Sequence, residues 1–425
     1  MFGPLVVFAF LAASAPAPGK SVPARSATNG DDQTAVRPVT RVRFKPGKGF
    51  ELATEDGRYA LAIRARLQVR YDFEHPHILG EANTHLLQIR RARLQFAGNV
   101  FGKHNRYYIQ FGFSPRDMTG GLIAEEDSIR RNPVRDARLE FDYLRDFTIW
   151  VGQTKVPFSR QRVASSGNLQ FVDRSSVNEE FNLDRDVGLQ VRSEDLGGVD
   201  RMRYMLGIFL GQGRNSLDPT NKGFLYVGRF EVHPLGAFES DSEADLERMR
   251  RLGLSLGAAY AYHDDAPGER GVHGSVPADG GTTDIHSTTA DLMFKYRGFS
   301  LTSALHLRKA RRRNPGGALD PDGTPSPVSL PRDGLGFLAQ AGYLVPRIDL
   351  EVVARYSIAR NPFGSHGAPL DRDEAGGGLN YYFVGHNLKL QIDYFRVREY
   401  APGMSALDAS RDATDRLRLQ IQLAF

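Results

Sequence analysis

The chain ends in the stretch Arg416-Leu-Arg-Leu-Gln-Ile-Gln-Leu-Ala-Phe425. Apolar and polar side chains alternate along it, and a period of two predicts a strand with one apolar and one polar face. Chain ends usually fray into polar tails, whereas this one stops on an aromatic residue. Because an open strand edge is intolerable in hydrocarbon, this ending favours the closing strand of a transmembrane barrel, provided that the pattern recurs upstream.

The same alternation recurs along the whole chain. In residues 59–73, a face of aromatic and aliphatic residues alternates with a face rich in Arg, and the segment is long enough to cross a bilayer when tilted. Further segments lie at 91–96, 107–113, 136–143, 147–151, 187–192, 203–211, 223–233, 251–262, 287–296, 299–309, 336–344, 348–356, 374–383, 387–397 and 416–425. The sequence therefore predicts an all-β fold, a transmembrane antiparallel β-barrel of sixteen strands.

The connections between these segments alternate between short and long. Only tight turns fit between Tyr143 and Phe147 and between Tyr296 and Phe299. The long connections, rich in Gly, Pro, Asp and Asn, are 114–133, 154–185, 263–285, 310–333 and 360–372. Barrels with tight periplasmic turns and long outer loops have this alternation. Eight strands fill their own interior but sixteen leave an aqueous lumen, so the predicted architecture implies a pore.

Composition argues against several other classes of protein. The 425 residues are 41% hydrophobic, and no apolar run of about 20 residues follows residue 15, as membrane-spanning helices would require. Lys and Arg number 55 against 50 Asp and Glu, but they are spread at alternate positions and form no basic stripe for nucleic acid. The absence of Cys excludes disulfides and thiolate metal sites. No repeat of about 40 residues indicates a propeller, and a soluble all-β protein is the minority alternative.

The N-terminal region has a different character. Residues 1–15 are predicted to be a signal peptide, because an apolar stretch is followed by the small residues Ala13-Ser14-Ala15. The cleavage site stays open, since no Lys or Arg precedes Lys20 and Pro16 follows the expected cut. Residues 16–40 are rich in Pro, Ala, Ser and Thr and are predicted to be a disordered leader. The barrel domain is predicted at residues 41–425.

Four stretches carry a family resemblance: LQIRRARL at 87–94, YYIQF at 107–111, VGQTKVPFSR at 151–160 and FNLDRDVG at 181–188. They resemble strands and strand–loop junctions of the phosphate-selective porin O and P family of bacterial outer-membrane proteins. The resemblance implies a homotrimeric barrel whose third loop folds into the lumen and narrows it. It also implies a constriction lined by Arg and Lys in the members that prefer phosphate.

Basic residues fall where such a channel would use them. The candidates for an anion pathway are Lys155, Arg160 and Arg162 near the third loop, and Arg64, Arg66, Arg70, Arg91 and Arg93 on the polar faces of the first strands. Rings of Arg and Lys favour anions, and the planar guanidinium matches phosphate oxygens. As an alternative, the wall arginines pair with lumen acids such as Asp136, Glu140 and Asp142 and do not select solute. Arg90 is expected to face lipid or to lie at a bulge, and is not a candidate.

The sequence thus predicts an outer-membrane porin, exported through the periplasm, that forms an anion-preferring channel for passive diffusion of phosphate or similar small anions. The alternatives are a general diffusion porin and, less favoured, a barrel enzyme or a structural anchor without channel activity. The stretch Gly253-Leu-Ser-Leu-Gly257 has the spacing Gly-x-Ser-x-Gly, but it lies inside the predicted strand 251–262 with no helix after it and so is not a nucleophile elbow. No His-Glu-x-x-His zinc helix occurs, and we expect no enzyme activity, catalytic residue, metal or cofactor. The expected partners are outer-membrane lipid and lipopolysaccharide, the barrel-insertion machinery through the Phe425 strand, and small anions, with no nucleic acid.

Overall fold

The computed structural model describes residues 40–45, 47–118, 132–215, 223–238, 240–274, 276–313, 317–326, 331–362, 371–400 and 412–425. The predicted signal peptide at 1–15 lies outside these residues, as does the predicted leader except for its last residue. Within the described part of the chain, no helix is long and apolar enough to cross a membrane. The helices that bear on the lumen are α1 (Pro115–Met118), α2 (Arg160–Val163) and α3 (Ser176–Phe181).

The described strands form one antiparallel sheet that begins with a hairpin, β1 (Thr40–Lys45) and β2 (Gly49–Thr54). The sixteen strands that follow are β3 (Ala60–Pro76), β4 (Thr84–Asn99), β5 (Asn105–Gly112), β6 (Val134–Leu144), β7 (Phe147–Lys155), β8 (Arg185–Ser193), β9 (Met202–Phe209), β10 (Leu225–Val232), β11 (Gly253–Ala266), β12 (Thr282–Tyr296), β13 (Phe299–Arg313), β14 (Gly334–Leu344), β15 (Leu350–Arg360), β16 (Asp371–His386), β17 (Leu388–Tyr400) and β18 (Thr414–Ala424). Each pairs with its neighbour in the chain, and β18 pairs with β3. The predicted transmembrane barrel of sixteen strands is confirmed.

The C-terminal strand closes the barrel, as its sequence predicts. Its register on β3 runs from Thr414 opposite Pro76 to Ala424 opposite Arg66. Phe425 extends the ladder, because its N–H donates to the Ala65 carbonyl at 3.0 Å and its carbonyl accepts from the Ala65 N–H at 2.8 Å. The barrel wall is therefore hydrogen-bonded all the way round.

Side-chain alternation along β18 separates lumen from lipid. Gln420 and Gln422 are buried on the inner face, whereas Ile421 and Leu423 are exposed on the outer face. Other large aliphatic residues exposed on the strands are Leu206, Ile208, Leu256, Leu305, Val352, Leu379, Leu390 and Ile392. An apolar outer surface of this extent suits a barrel surrounded by lipid.

Deleting residues 414–425 is expected to abolish the folded barrel. Without β18, the backbone groups of β3 and β17 that now pair with it would be left without partners, and in lipid each unsatisfied group costs several kcal/mol. We expect the truncated chain to lose the heat-dependent shift in electrophoretic mobility that folded barrels show. A shift equal to that of the full chain would contradict the closing role of β18.

The hairpin β1–β2 extends the sheet beyond the end of β18. Phe50 to Ala53 on β2 pair with Ile63 to Ala60 at the start of β3. The hairpin lies outside the sixteen predicted segments because its strands have six residues each, too few to span a bilayer.

The strand connections define two ends of the barrel. The loop end carries long connections, whereas the turn end has tight turns such as 145–146 and 297–298. Residues 233–252 between β10 and β11, called turn 4 here, break this rule because they form a long connection at the turn end. The N–H of Glu243 in turn 4 donates to the Asn168 carbonyl at 3.2 Å. Turn 4 thus folds into the barrel and meets the connection that enters from the loop end.

Candidate permeation pathway

Residues 156–184 between β7 and β8, called loop 3 here, fold into the lumen as predicted. Both ends of the loop are anchored on the same wall. Val156, Phe158 and Leu183 are buried in one cluster with wall residues Phe209, Leu225, Val227, Ala259 and Ala261 of β9 to β11. Burying an apolar side chain of this kind contributes about 1.5–3 kcal/mol, so these contacts hold the loop inside.

The middle of loop 3 crosses to the opposite wall. Phe171 is buried against Val353, Phe395 and Val397 of β15 and β17. Further along, Val177 and Phe181 of α3 are buried against Ala359 of β15. Because the loop is packed on both walls, it divides the lumen.

Glycines on β14 make room for α3. A Cβ atom added to Gly336 would lie 2.7 Å from the Phe181 ring and 2.9 Å from Val177, and one added to Gly334 would lie 3.0 Å from Phe181. Such distances are shorter than carbon contacts allow. The glycines of β14 thus allow α3 to pack closely against this strand.

The variant Gly336→Val is expected to push α3 off the wall and unsettle loop 3. The added side chain overlaps Phe181 and Val177, so single-channel conductance in a planar bilayer should change and its fluctuations should increase. Gly228→Val is the matched control, because a Cβ at Gly228 meets only the Leu206 side chain, at 3.3 Å. A Gly336→Val channel with the conductance and noise of the control would contradict the packing role.

Loop 3 is also fixed by a carboxylate. Asp173 accepts from Arg91 at 2.9 Å on Oδ1, and from Arg70 at 3.0 Å and Arg90 at 2.7 Å on Oδ2. Burial alone would raise the pKa of Asp173, but the guanidiniums of Arg90, Arg91 and Arg70 lower this pKa well below its usual range. The loop is thus tied to β3 and β4 as well.

Two large cavities lie inside the described part of the barrel. The loop-end cavity, of about 720 Å³, is lined by residues such as Glu74 and Thr84. The turn-end cavity, of about 360 Å³, is lined by residues such as Arg64 and Gln95. Four side chains line both cavities, and we call them the arginine junction: Arg93, Arg135, Arg162 and Arg174. A solute that passes between the two cavities meets this set.

Three members of the arginine junction are paired with carboxylates. Arg93 binds both oxygens of Asp117, with Nε at 2.7 Å and Nη2 at 2.8 Å. Arg135 Nη1 reaches the same carboxylate at 2.8 Å, and Arg162 pairs with Asp184. Because Asp117 is shared by two arginines, its single charge leaves the junction positive.

Arg174 has no carboxylate partner among the described residues. Its Nε donates to the Gln161 carbonyl at 2.6 Å and its Nη2 to the Ala164 carbonyl at 2.8 Å. Burial lowers the pKa of Arg174 to about 10. The guanidinium is therefore still charged at neutral pH, and the two carbonyls hold it in place without cancelling its charge.

The turn-end cavity is strongly basic. Its lining includes ten basic residues: Arg64, Arg66, Arg93, Arg135, Arg138, Lys155, Arg162, Arg174, Arg185 and Arg192. The acidic residues in the same lining are Asp136 and Asp241. Arg66 donates to Ser165 at 3.2 Å and Ser166 at 2.9 Å, and Lys155 donates to the Val163 carbonyl at 2.7 Å. A cleft lined by one sign of charge concentrates counter-ions, in this case anions.

The structure brings seven of the eight predicted pathway residues to these cavities. Arg64, Arg66 and Lys155 line the turn-end cavity, Arg70 and Arg91 the loop-end cavity, and Arg93 and Arg162 both. Arg160 lies outside both cavities, against the inner face of β11 and β12. Its Nε contacts Asp291 at 2.6 Å and its Nη2 contacts Ser255 at 2.8 Å. Arg160 therefore anchors the start of α2 and borders neither cavity.

The alternative explanation, in which wall arginines pair with acidic residues and do not select solute, holds for some of the predicted pathway residues. Arg70, Arg91 and Arg93 pair with Asp173 or Asp117, which belong to connections between strands. The strand acids proposed as partners bind other residues. Asp136 pairs with Arg185, Glu140 with Arg138 and Arg106, and Asp142 with Arg106 and His104. Pairing alone does not account for Arg66 and Lys155, which have no carboxylate partner among the described residues.

Side-chain alternation did not predict that Arg90, Arg135 and Arg174 line the cavities. The register slips between Gln68 and Val69, so that Gln68 faces Arg91 while Val69 faces Ile89, and Arg90 is the extra residue of a bulge. Of the two alternatives expected for Arg90, the bulge is the one observed, and at this bulge Arg90 contacts Asp173. Arg135 occupies a similar bulge between β5 and β6. Arg174 lies in loop 3, where no period exists to predict its direction.

Comparison with known proteins agrees with the fold and with the sequence resemblance. A sequence model of the family described as phosphate-selective porin O and P matches residues 61–242. An uncharacterized protein of Aquifex aeolicus (strain VF5) is 25% identical over 401 residues, which cover 86% of this chain and 87% of that protein. The family resemblance is thus confirmed over the matched region.

Solved structures with this architecture are outer-membrane proteins. The outer membrane channel DcaP of Acinetobacter baumannii has a TM-score of 0.54 at 12% identity, with 89% of this chain and 100% of that chain covered. Salmonella typhi OmpF has a TM-score of 0.53 at 14% identity, with 87% and 99% covered. OmpT of Vibrio cholerae has a TM-score of 0.52 at 11% identity, with 87% and 98% covered. At these identities the likeness concerns the fold. Together with the family match, it supports an outer-membrane porin channel.

Proposed function

We propose that this chain forms an anion-preferring channel through which phosphate or similar small anions cross the outer membrane by passive diffusion. The observation that carries the proposal is the arginine junction, four guanidiniums at the place where the two lumen cavities meet. Any solute that moves from one cavity to the other has to pass them.

Charge balance supports an anion over a cation. Two carboxylates, Asp117 and Asp184, pair with three of the junction arginines, and Arg174 is uncompensated among the described residues. A single unit charge about 4 Å from an ion contributes about 1 kcal/mol even at the dielectric constant of water. The excess charge of the junction therefore attracts anions and repels cations by a comparable amount.

Guanidinium chemistry supports oxyanions such as phosphate. A guanidinium presents parallel N–H donors that fit two oxygens of one oxyanion, whereas the single chloride ion accepts hydrogen bonds without that matched pair of acceptors. Ser165 and Ser166 border the turn-end cavity beside Arg66 and add hydroxyl groups. A general diffusion porin is the alternative, favoured by the carboxylates that pair with Arg70, Arg91 and Arg93.

Ion selectivity measured on purified protein tests the proposal. In a planar bilayer that separates unequal KCl concentrations, we expect a reversal potential whose sign gives chloride a higher permeability than potassium. Phosphate added at low concentration should then reduce the chloride current, because phosphate occupies the pathway for longer. Potassium preference would overturn the anion channel. If the channel prefers chloride to potassium but phosphate does not reduce the chloride current, the result would favour a general diffusion porin with a preference for anions.

The biological setting belongs to the same proposal. We infer a homotrimer in the outer membrane, reached by export through the periplasm and by recognition of the Phe425 strand by the insertion machinery. The exposed aliphatic surface supports contact with outer-membrane lipid and lipopolysaccharide. Crosslinking of the protein in intact cells should give a trimer, and a monomer under the same conditions would count against this assembly.

A further inference from the structure

The chain contains one Trp, and that residue lies in the lumen. Trp residues of membrane proteins are enriched at the bilayer interfaces, where the indole contacts headgroups. Trp150 on β7 instead lines the turn-end cavity. A large aromatic surface on the wall of an aqueous, basic cavity calls for an explanation other than membrane anchoring.

Trp150 belongs to a stack built from four consecutive strands. The guanidinium carbons of Arg138 on β6 and Arg192 on β8 each lie 3.9 Å from the Trp150 ring centroid. Arg138 also lies 4.3 Å from the ring centroid of Tyr108 on β5. All four side chains line the turn-end cavity, so aromatic and cationic surfaces alternate along one side of it. We call these four residues the cation–aromatic stack.

The stack keeps hydrogen-bonding capacity for a ligand. Arg138 uses Nε and Nη2 on Glu140, both at 2.8 Å, and Arg192 uses Nη2 on Glu194. Trp150 Nε1 and Arg192 Nε have no acceptor among the described residues. Unsatisfied buried donors cost about 1–3 kcal/mol each, and because both nitrogens have almost no accessible surface, a ligand accepts from them only by displacing the side chains that cover them.

We propose that the cation–aromatic stack is a subsite for planar organic anions, in which a carboxylate is carried on an aromatic ring. The proposal rests on the anion channel proposed above. It names the class of anion that binds at this subsite of the channel. The guanidiniums of Arg138 and Arg192 suit the carboxylate, while the Tyr108 ring and the edge of the Trp150 indole, which line the cavity, suit the ring. A cavity of about 360 Å³ falls within the usual size of small-molecule sites, roughly 300–1,000 Å³.

Fluorescence measures binding at this subsite directly, because Trp150 is the only indole in the chain. Titration of the purified protein with benzoate should change the Trp emission to a saturating value, whereas acetate at equal concentration and ionic strength should not. The variant Arg192→Gln should weaken benzoate binding roughly tenfold, since the hydrogen bond between a guanidinium and the benzoate carboxylate contributes about that much. The matched control is Arg58→Gln, an exposed residue outside both cavities, which should bind benzoate like the wild type. Equal responses to benzoate and acetate would overturn the subsite.

Permeability measurements separate this proposal from the anion channel itself. With chloride on one side of the bilayer and benzoate or acetate on the other, the wild-type channel should pass benzoate better relative to acetate than their mobilities in water predict. Trp150→Leu should lower this benzoate-to-acetate ratio several-fold. Chloride preference over potassium without any discrimination between benzoate and acetate would refute the subsite and leave the anion channel intact. Potassium preference would refute the anion channel.

Discussion

The double variant Arg162→Gln/Arg174→Gln is expected to lose most of the preference for chloride over potassium. Both residues line both cavities, and Gln retains donors for the neighbouring carbonyls while removing the charge. Each charge removed should lower the chloride-to-potassium permeability ratio roughly thirtyfold, because about 1 kcal/mol of attraction for chloride and about 1 kcal/mol of repulsion of potassium are lost together. Loss of Arg162 also leaves the carboxylate of Asp184 with Arg185 as its remaining partner, at 3.3 Å, which adds attraction for cations. Reversal potentials in unequal KCl measure the ratio.

The exposed Arg58→Gln variant serves as the control for this double variant as well. It removes one positive charge from the chain but none from the cavities, so its permeability ratio should equal that of the wild type. If the double variant also kept the wild-type ratio, the arginine junction would not be the selective element. Selectivity would then have to come from the remaining basic residues of the turn-end cavity, foremost Arg66 and Lys155.

Asp173→Asn is expected to release the tip of loop 3 and change the conductance of the channel. The substitution leaves Arg70, Arg90 and Arg91 without the carboxylate that they share. Removing one partner of a buried ion pair typically costs about 3–5 kcal/mol, and the Asp173 side chain is only 18% exposed. We expect a larger and more variable single-channel conductance in planar bilayers. Asp56→Asn, on an exposed turn, is the control, and identical conductance traces from the two variants would contradict the tethering role.

Moderate acid should not reproduce the effect of Asp173→Asn. The pKa of Asp173 is lower in the folded protein than in the unfolded chain, so its contribution to stability is complete above the unfolded value of about 3.9. The contribution is lost only as the pH falls through the lower, folded pKa. Conductance of the wild type should therefore stay constant between pH 7 and pH 5. A reversible rise over that range would show that Asp173 takes up a proton there.

Side-chain alternation was sufficient to predict the barrel strands. In a wall with lipid on one side and an aqueous lumen on the other, the polarity of each residue reports the side to which it points, as Gln422 and Leu423 illustrate. The inward fold of turn 4 was not predicted, because side-chain alternation is informative only for strands and does not indicate which residues a connecting segment contacts. The contact between Glu243 and Asn168 depends on where loop 3 lies in three dimensions.

The pathway was predictable only where the strands are regular. Arg66, Arg91 and Arg93 follow the period and face the lumen as expected. Arg90 and Arg135 do not, because a bulge adds one residue and brings two neighbours to the same side. Adjacent charged residues within a strand, such as Arg90-Arg91 in β4, are the signal that was available for such a bulge. Arg160 shows a different limit of the sequence-based prediction. A charged residue in a loop was expected to line the pathway, but Arg160 contacts Asp291 and Ser255 and anchors the loop.

The pairing of β18 with β3 also has a consequence for the order in which the strands pair during folding. Each of the other barrel strands pairs with the next strand in the chain, so those contacts can form one hairpin at a time. The contact of Thr414 with Pro76 joins distant parts of the chain, and contacts over long sequence separations form slowly. We therefore expect closure to be a late step of folding, so that the lumen, with its arginine junction, forms only when β18 pairs with β3.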